Sequence, residues 1–467
     1  HARRPPGRLG QQVMSLGQQK FTARYPRESS ALRGEANDAT MSKKATGALR
    51  IISVDEIPSD CSEPVDPKAL EQATAIVDGI RKGGEEALKA TAVKFGDIKE
   101  GESYTYTPAE LKEAFDGLPK DQQGVLTRVA GRITKFAAAQ RASLTEMTTD
   151  IPGGQAGQTV AAVDTAGCYA PGGRYPLPSS VLMTACTARA AGVQKVWVAS
   201  PHPDKVTMAA AHVAGVDGML KVGGAQAVAT MSQGVGPVPK CDIIVGPGNQ
   251  WVTAAKSLVS QSGTAIDMLA GPSEVLVIAD ETADPATIAA DLLAQAEHDV
   301  EARPILVSTS RPLIDGVNSE VVKQLAAMPS PNRETATEAC SKGFAVVASG
   351  IEDAISVSDK IAPEHLEVMT KDAMAVGMKC KHYGGLFVGR YAAEVLGDYG
   401  MGPNHVLPTA GTARYTGGLS VHTFLRTRTW MRIDKQEDSQ DVVADSVALA
   451  RLEGLEGHAR AAEKRLL

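Results

Sequence analysis

The spacing of apolar and polar positions changes part-way along this chain. From Asp66 to about Leu144 apolar residues recur at helical intervals, and from Val160 onward short apolar runs alternate with helical stretches. Asp66-Pro67 predicts a helix running to about Arg81, broken by Gly83-Gly84. Thr107-Pro108 opens another helix, and a long one is expected from about Asp121 to Leu144. The expected strands are Val196–Ser200, Asp242–Val245, Glu274–Asp280, Ile305–Ser308, Phe344–Ala348 and Leu386–Val388. Strands alternating with helices make βαβ units and a largely parallel sheet, so the expected fold class is α/β. The block between Tyr169–Gly173 and Leu269–Ser273 looks like an inserted α/β domain with entry and exit close together. After Pro408 strand character is lost, and Val442–Leu467 reads as a charged amphipathic helix, able to pack at home or on a partner subunit.

The densest local pattern is Ile266–His298. Gly271-Pro272-Ser273-Glu274 is a turn, because proline has no N–H to donate. Glu274–Asp280 (EVLVIAD) is an apolar run of strand length, and Asp284-Pro285 is a cap followed by a first-turn proline. Gln295 and His298 then stand three apart on one helix face and can reach one point beside it. A ligand-binding helix end and a solvated one both explain that spacing.

Composition narrows the classes. With 22% charged and 43% hydrophobic residues, the 467-residue chain has ordinary globular composition and room for several domains. A net charge of −6 argues against nucleic acid or an acidic membrane as the main partner. No apolar run is long enough to span a bilayer. The six cysteines are scattered without a CxxC pair, which argues against a thiolate zinc site and for a reducing compartment. The leader differs in kind, with basic residues from Arg3 to Arg33 and no acid before Glu28, as in organelle transit peptides.

An α/β chain raises the question of dinucleotides, yet GxGxxG is absent. Glycine turns at Pro171-Gly172-Gly173, at Gly223-Gly224 and at Gly246-Pro247-Gly248-Asn249 can each bring backbone amides to a ligand, or be plain tight turns. Glu364-His365, after Pro363, stands at an element boundary and offers an acid beside an imidazole. Asp398 and His405 lie in a glycine-rich polar segment, and Glu453 and His458 in the helical tail. Each has a structural reading as good as the functional one.

Together these segments resemble one family. AGPSEVLVIAD…LLAQAEHD looks like the histidinol dehydrogenase signature, and GCYAPGGRYPLPSSVLM, VGGAQAVA, IVGPGN, IAPEHLEV, GDYGMGPNHVLPT and EGLEGHA follow the family's order and spacing from about residue 50 onward. The resemblance implies two Rossmann-like α/β domains, an aldehyde-dehydrogenase-like architecture, with small terminal extensions used in dimerisation. It divides the chain into a leader (1–46), an arm (47–66), a catalytic domain (67–166 plus 273–408), an NAD-binding domain (167–272) and a dimerisation tail (409–467). It implies oxidation of L-histidinol to L-histidine through L-histidinaldehyde with two NAD+ at a zinc site. Zinc ligands would be Gln295, His298, Asp398 and His458, the last given to the partner subunit's site within a homodimer. His365 and Glu364 would be the catalytic bases; Ser273, His405 and Glu453 would touch substrate, as would Gln295, His298, His365, Asp398 and His458. Tyr169, Gln226 and Asn249 would touch NAD. The leader would direct the chain to a plastid; without that role the compartment is cytoplasmic.

One departure from the family pattern is Val300-Glu301-Ala302-Arg303, in the loop beside the ligand helix. Competing readings are a related dehydrogenase for another amino or hydroxy alcohol or a sulfonated substrate, a zinc hydrolase using Glu364, and a non-catalytic binding protein. The last two leave the nucleotide turns or the Glu-His pair without purpose.

Overall fold

Runs of β-branched and apolar residues in this chain gather into two six-stranded sheets and a small third one. The computed structural model describes residues 47–58, 65–172 and 176–467; the basic leader, Cys61 and positions 173–175 lie outside the described residues. The first sheet has the order β1 (Arg50–Ile52), β12 (Phe344–Val347), β11 (Arg303–Ser308), β10 (Glu274–Ala279), β13 (His365–Met369), β14 (Gly385–Val388), with every pair parallel. The second runs β2 (Thr105–Tyr106), β7 (Gly218–Leu220), β6 (Lys195–Ala199), β5 (Thr165–Tyr169), β8 (Ile243–Val245), β9 (Ala265–Ile266), parallel except for β2 against β7. The α/β class expected from the sequence is the one found.

Both large sheets are covered on both faces, which is why strands such as β10 and β12 read as nearly continuous apolar runs. Helices α8 (Pro285–Ala296), α9 (Arg311–Ala327) and α10 (Asn332–Lys342) share a core with Val275 and Val277 on one face of the first sheet. On the other face, α11 (Ile351–Ile361) and α12 (Ala373–Gly377) pack with Leu276 and Ile278. On the second sheet, α2 (Pro108–Asp116), α3 (Lys120–Ser143), α4 (Pro178–Ala191) and α5 (Lys205–Val213) enclose one core. The opposite core joins α1 (Pro67–Phe95), α6 (Gly224–Gln233) and α7 (Gln250–Ser260). Helix α1 is capped by Asp66, and Gly84, at φ 55°, interrupts it where the glycine pair predicts a break.

Three expectations are corrected. The segment 67–166 was grouped with 273–408, but α1–α3 pack on the second sheet and β2 pairs with β7 there. Periodicity shows only that these helices have an apolar stripe, not which sheet receives it. Strand character does not end at Pro408, because β15 (Leu425–Ile433) pairs antiparallel with β4 (Gly154–Ala162), and β4 with β3 (Met147–Ile151). That small sheet is mostly exposed, so its strands alternate polar with apolar and lack a continuous run. The tail is also two helices, α14 (Gln440–Leu452) and α15 (Glu456–Glu463), turned at Gly454 with φ 75°. Among the described residues no helix is long and apolar enough to cross a membrane.

Candidate active site

The two large sheets meet at a cavity of about 180 Å³, lined on one side by Pro171 and Gly246–Gly248 and on the other by Ser273, Glu364 and His405. The first sheet contributes the amino ends of its strands. Pro363 stops α11 from continuing, and β13 begins at His365, in register with Val275. Glu364 and His365 are therefore held at a strand start and are almost fully buried.

Glu364 Oε2 accepts the Glu274 N–H at 2.9 Å. Burial pushes its carboxyl well above the ordinary range, with the Glu274 and Asp398 charges adding and the Ser273 side-chain hydrogen bond opposing. His365 Nδ1 lies 2.9 Å from the Glu274 carbonyl. A carbonyl only accepts, so Nδ1 carries the hydrogen and Nε2 keeps its lone pair. That Nε2 is buried without a hydrogen-bond partner among the described residues and faces Asp398 Oδ1 at 3.9 Å. Burial holds the imidazole below its ordinary value, the Asp398 charge opposing, which leaves a neutral base. His405 is oriented in the same way, its Nδ1 3.1 Å from the Asp398 carbonyl, and it too is lowered chiefly by burial.

The proposed metal ligands are brought together in part. Asp284 caps α8 by accepting from Thr287 N–H, and the helix delivers Gln295 to the interior. His298 lies just past the helix end, in an exposed turn whose N–H still reaches the Gln295 carbonyl. It lies close enough to His365 and His405 to interact with both, and Asp398 closes the short helix α13 (Glu394–Asp398). Among the described residues Gln295 Oε1 is buried with no hydrogen-bond partner, which fits an oxygen donor to a cation. Nitrogen and oxygen donors of this kind suit zinc. Among the described residues no group of three or more His, Cys, Asp or Glu could by itself hold a metal. Glu453 and His458 stand apart from this cluster, exposed in the tail hairpin, whose helices pack on one another.

The second sheet contributes carboxyl ends, the usual ligand side of a parallel sheet. Tyr169 ends β5 and its hydroxyl accepts the Gly224 N–H at 3.1 Å. Gln226, buried at the start of α6, donates to Asp97 Oδ2 at 2.9 Å. Asn249 caps α7, accepting from Trp251 and Val252 N–H, and is itself exposed. Gly246 sits at φ 113°, and a Cβ there would lie 2.1 Å from the Tyr169 carbonyl oxygen.

Sequence reasoning missed several groups. Asp97 holds Gln226, the buried Glu274 and Glu394 lie against the Glu364-His365 pair, and the buried Asp291 and Glu367 lie against each other. Asp291 is raised to about 6 and Glu367 to about 8, burial being the main cause for each, and the two carboxyls face one another. An acid inside an apolar run, as in HLEVM, is the signal that could have found Glu367. The unusual Val300–Arg303 segment is accommodated: Arg303 opens β11, donates its N–H to Ser273 O at 3.0 Å and stands beside the Glu274 carboxylate.

Comparison with known proteins shows the family. The family model described as histidinol dehydrogenase matches residues 62–466. Relatives named histidinol dehydrogenase include one from Methanocaldococcus jannaschii, 38% identical over 86% of this chain and 93% of its own. Another, from Geobacillus kaustophilus, is 42% identical over 85% and 94%. A sulfopropanediol 3-dehydrogenase from Ruegeria pomeroyi is 39% identical over 85% and 92%. Among solved structures, histidinol dehydrogenase from Elizabethkingia anophelis superposes with a TM-score of 0.83 at 30% identity, covering 89% of this chain and 98% of the other. The chain belongs to the histidinol dehydrogenase family of oxidoreductases.

Proposed function

We propose that this protein oxidises L-histidinol to L-histidine through L-histidinaldehyde. The observation that carries the reading is the buried His365 with a bare Nε2, beside Glu364 on a cavity shared with the glycine turns of the second sheet. When bound, NAD+ supplies the hydride acceptor for each of two oxidations, and zinc at Gln295, His298, Asp398 and the partner's His458 anchors the imidazole and amino group of the substrate.

His365 Nε2 takes the alcohol proton as the first hydride leaves carbon. The Glu274 carbonyl holds the Nδ1 hydrogen, so the ring cannot turn its wrong nitrogen to the substrate. Glu364 then takes a proton from the water that adds to the aldehyde, and its raised affinity for protons makes the ionised carboxylate a competent base. His365 gives its first proton up to solvent between the two oxidations, and Nε2 accepts again as the hydrated aldehyde is oxidised. Ser273, His405 and the partner's Glu453 contact substrate, and Tyr169, Gln226 and Asn249 form the nucleotide side.

Exposed apolar residues on β15 and the tail, among them Met431 and Leu452, support a homodimer in which the tail reaches the neighbour's site. In that arrangement His458→Ala loses zinc, yet heterodimers with Glu364→Ala subunits regain part of the activity. Intact heterodimers without recovery would rule out the shared site. The leader supports a plastid address, to be checked by the fluorescence of a fusion to residues 1–50.

The decisive assay counts NADH formed per L-histidinol consumed. Two supports the full reaction, one restricts the protein to alcohol oxidation, and none refutes the reading. A second reading, oxidation of another polar alcohol on the same scaffold, is favoured by the 39% identity to a sulfopropanediol dehydrogenase. Turnover of sulfopropanediol with none of histidinol would establish it instead.

A further inference from the structure

Behind the Gly246 turn lies a buried ion pair that the chemistry above does not use. The Lys256 and Asp267 side chains are 3% and 1% exposed and in direct contact. Lys256 Nζ donates to the Gly246 carbonyl at 2.9 Å, and Asp267 Oδ2 accepts the Gly246 N–H at 2.7 Å. Asp267 Oδ1 also accepts the Met268 N–H at 2.7 Å. Both backbone groups of one positive-φ glycine are thus held by opposite ends of a single ion pair.

A buried ion pair is a poor device for stability alone, since desolvating two charges offsets most of their attraction. Its geometry is directional, however. Gly246, Pro247, Gly248 and Met268 all line the cavity, so the pair joins the nucleotide turn to the start of the segment leading to Ser273. Pro247 has no N–H and Gly246 has spent its own, which leaves the Gly248–Asn249 end of the turn to face a ligand.

We propose that Lys256 and Asp267 are positioning residues for the dinucleotide: they hold the Gly246–Asn249 turn in its binding conformation before the cofactor arrives. This rests on reading that turn as the NAD site. The turn is preorganised, so its ordering cost is not charged against cofactor binding.

The test is the double variant Lys256→Met/Asp267→Asn in the full chain, which removes both charges without stranding either. KM for NAD+ and the calorimetric Kd for NADH rise by about tenfold or more. At saturating NAD+, kcat stays within about threefold of wild type, as does KM for histidinol. A merely structural pair would lower kcat through the folded fraction and leave KM for NAD+ alone. An unchanged NADH Kd in the double variant overturns the clamp. Wild type that binds no NADH overturns the nucleotide reading itself, so the two failures are distinct. Should the variant not fold, hydrogen exchange on wild type decides: the Gly246 and Met268 amides are protected without NADH, and fast exchange in the free enzyme sinks the proposal.

Discussion

The two large sheets turn opposite ends toward the same cavity. The second sheet offers the carboxyl ends of its strands, where glycine turns and helix starts present backbone amides. The first offers amino ends, where Glu274, Glu364 and His365 are buried with displaced proton affinities. One side is built of backbone shape and the other of desolvated titratable groups. Changes on the proposed nucleotide side should therefore act on binding, and changes on the acid side on rate and on pH dependence.

The largest effect expected is at the base. His365→Asn keeps a polar side chain but no imidazole lone pair, and kcat should fall by about 10²–10⁴-fold with little change in NADH affinity. Parallel loss of NADH binding would erase the division between the two sides. Next comes Gly246→Ala, which meets the Tyr169 carbonyl at 2.1 Å and adds the strain of φ 113°. A cost of about 1–3 kcal/mol in thermal stability and a weakened NADH Kd are expected, and unaltered values would show that the turn adapts.

A pH effect should follow from Glu367 and Asp291. Burial, and for Glu367 the Asp291 charge, raises Glu367 from its ordinary 4.5 to about 8. The folded protein keeps a proton that the unfolded chain releases, so this contribution to stability is present below about pH 4.5 and is lost as pH rises through about 8. Tm of Glu367→Gln should decline less across that window than wild type; identical slopes would show that the acid does not titrate there. The smallest effect is Asp284→Ala, which removes the cap of the helix carrying Gln295 and should cost about 1 kcal/mol in urea unfolding without changing NADH affinity.

Much of this was legible along the chain. EVLVIAD is a strand because both of its faces are buried, and Asp284-Pro285 starts α8 because cap and proline act within one turn. The Glu364-His365 boundary was readable from Pro363 for the same local reason. By contrast, β5 hides behind Thr165 and Gly167, and β13 behind two ionisable residues, since their burial comes from neighbouring strands and not from their own composition. Asp97, Glu394 and the Lys256–Asp267 pair look like ordinary surface charges in a linear reading. Their partners lie on other elements, and spacing carries no information about those.

By itself, then, the sequence determined whatever depends on a few consecutive residues: strand and helix segments, caps, breaks and the glycine turns. Its motif order also marked the family. Only the tertiary structure decided that α1–α3 cover the second sheet and that the tail contains a strand. The same holds for the bare Nε2 of His365, which exists because the Glu274 carbonyl, 91 residues away, occupies the other ring nitrogen. Hydrogen-bond partners and desolvation are properties of packed neighbours, and packing is what a linear pattern cannot contain.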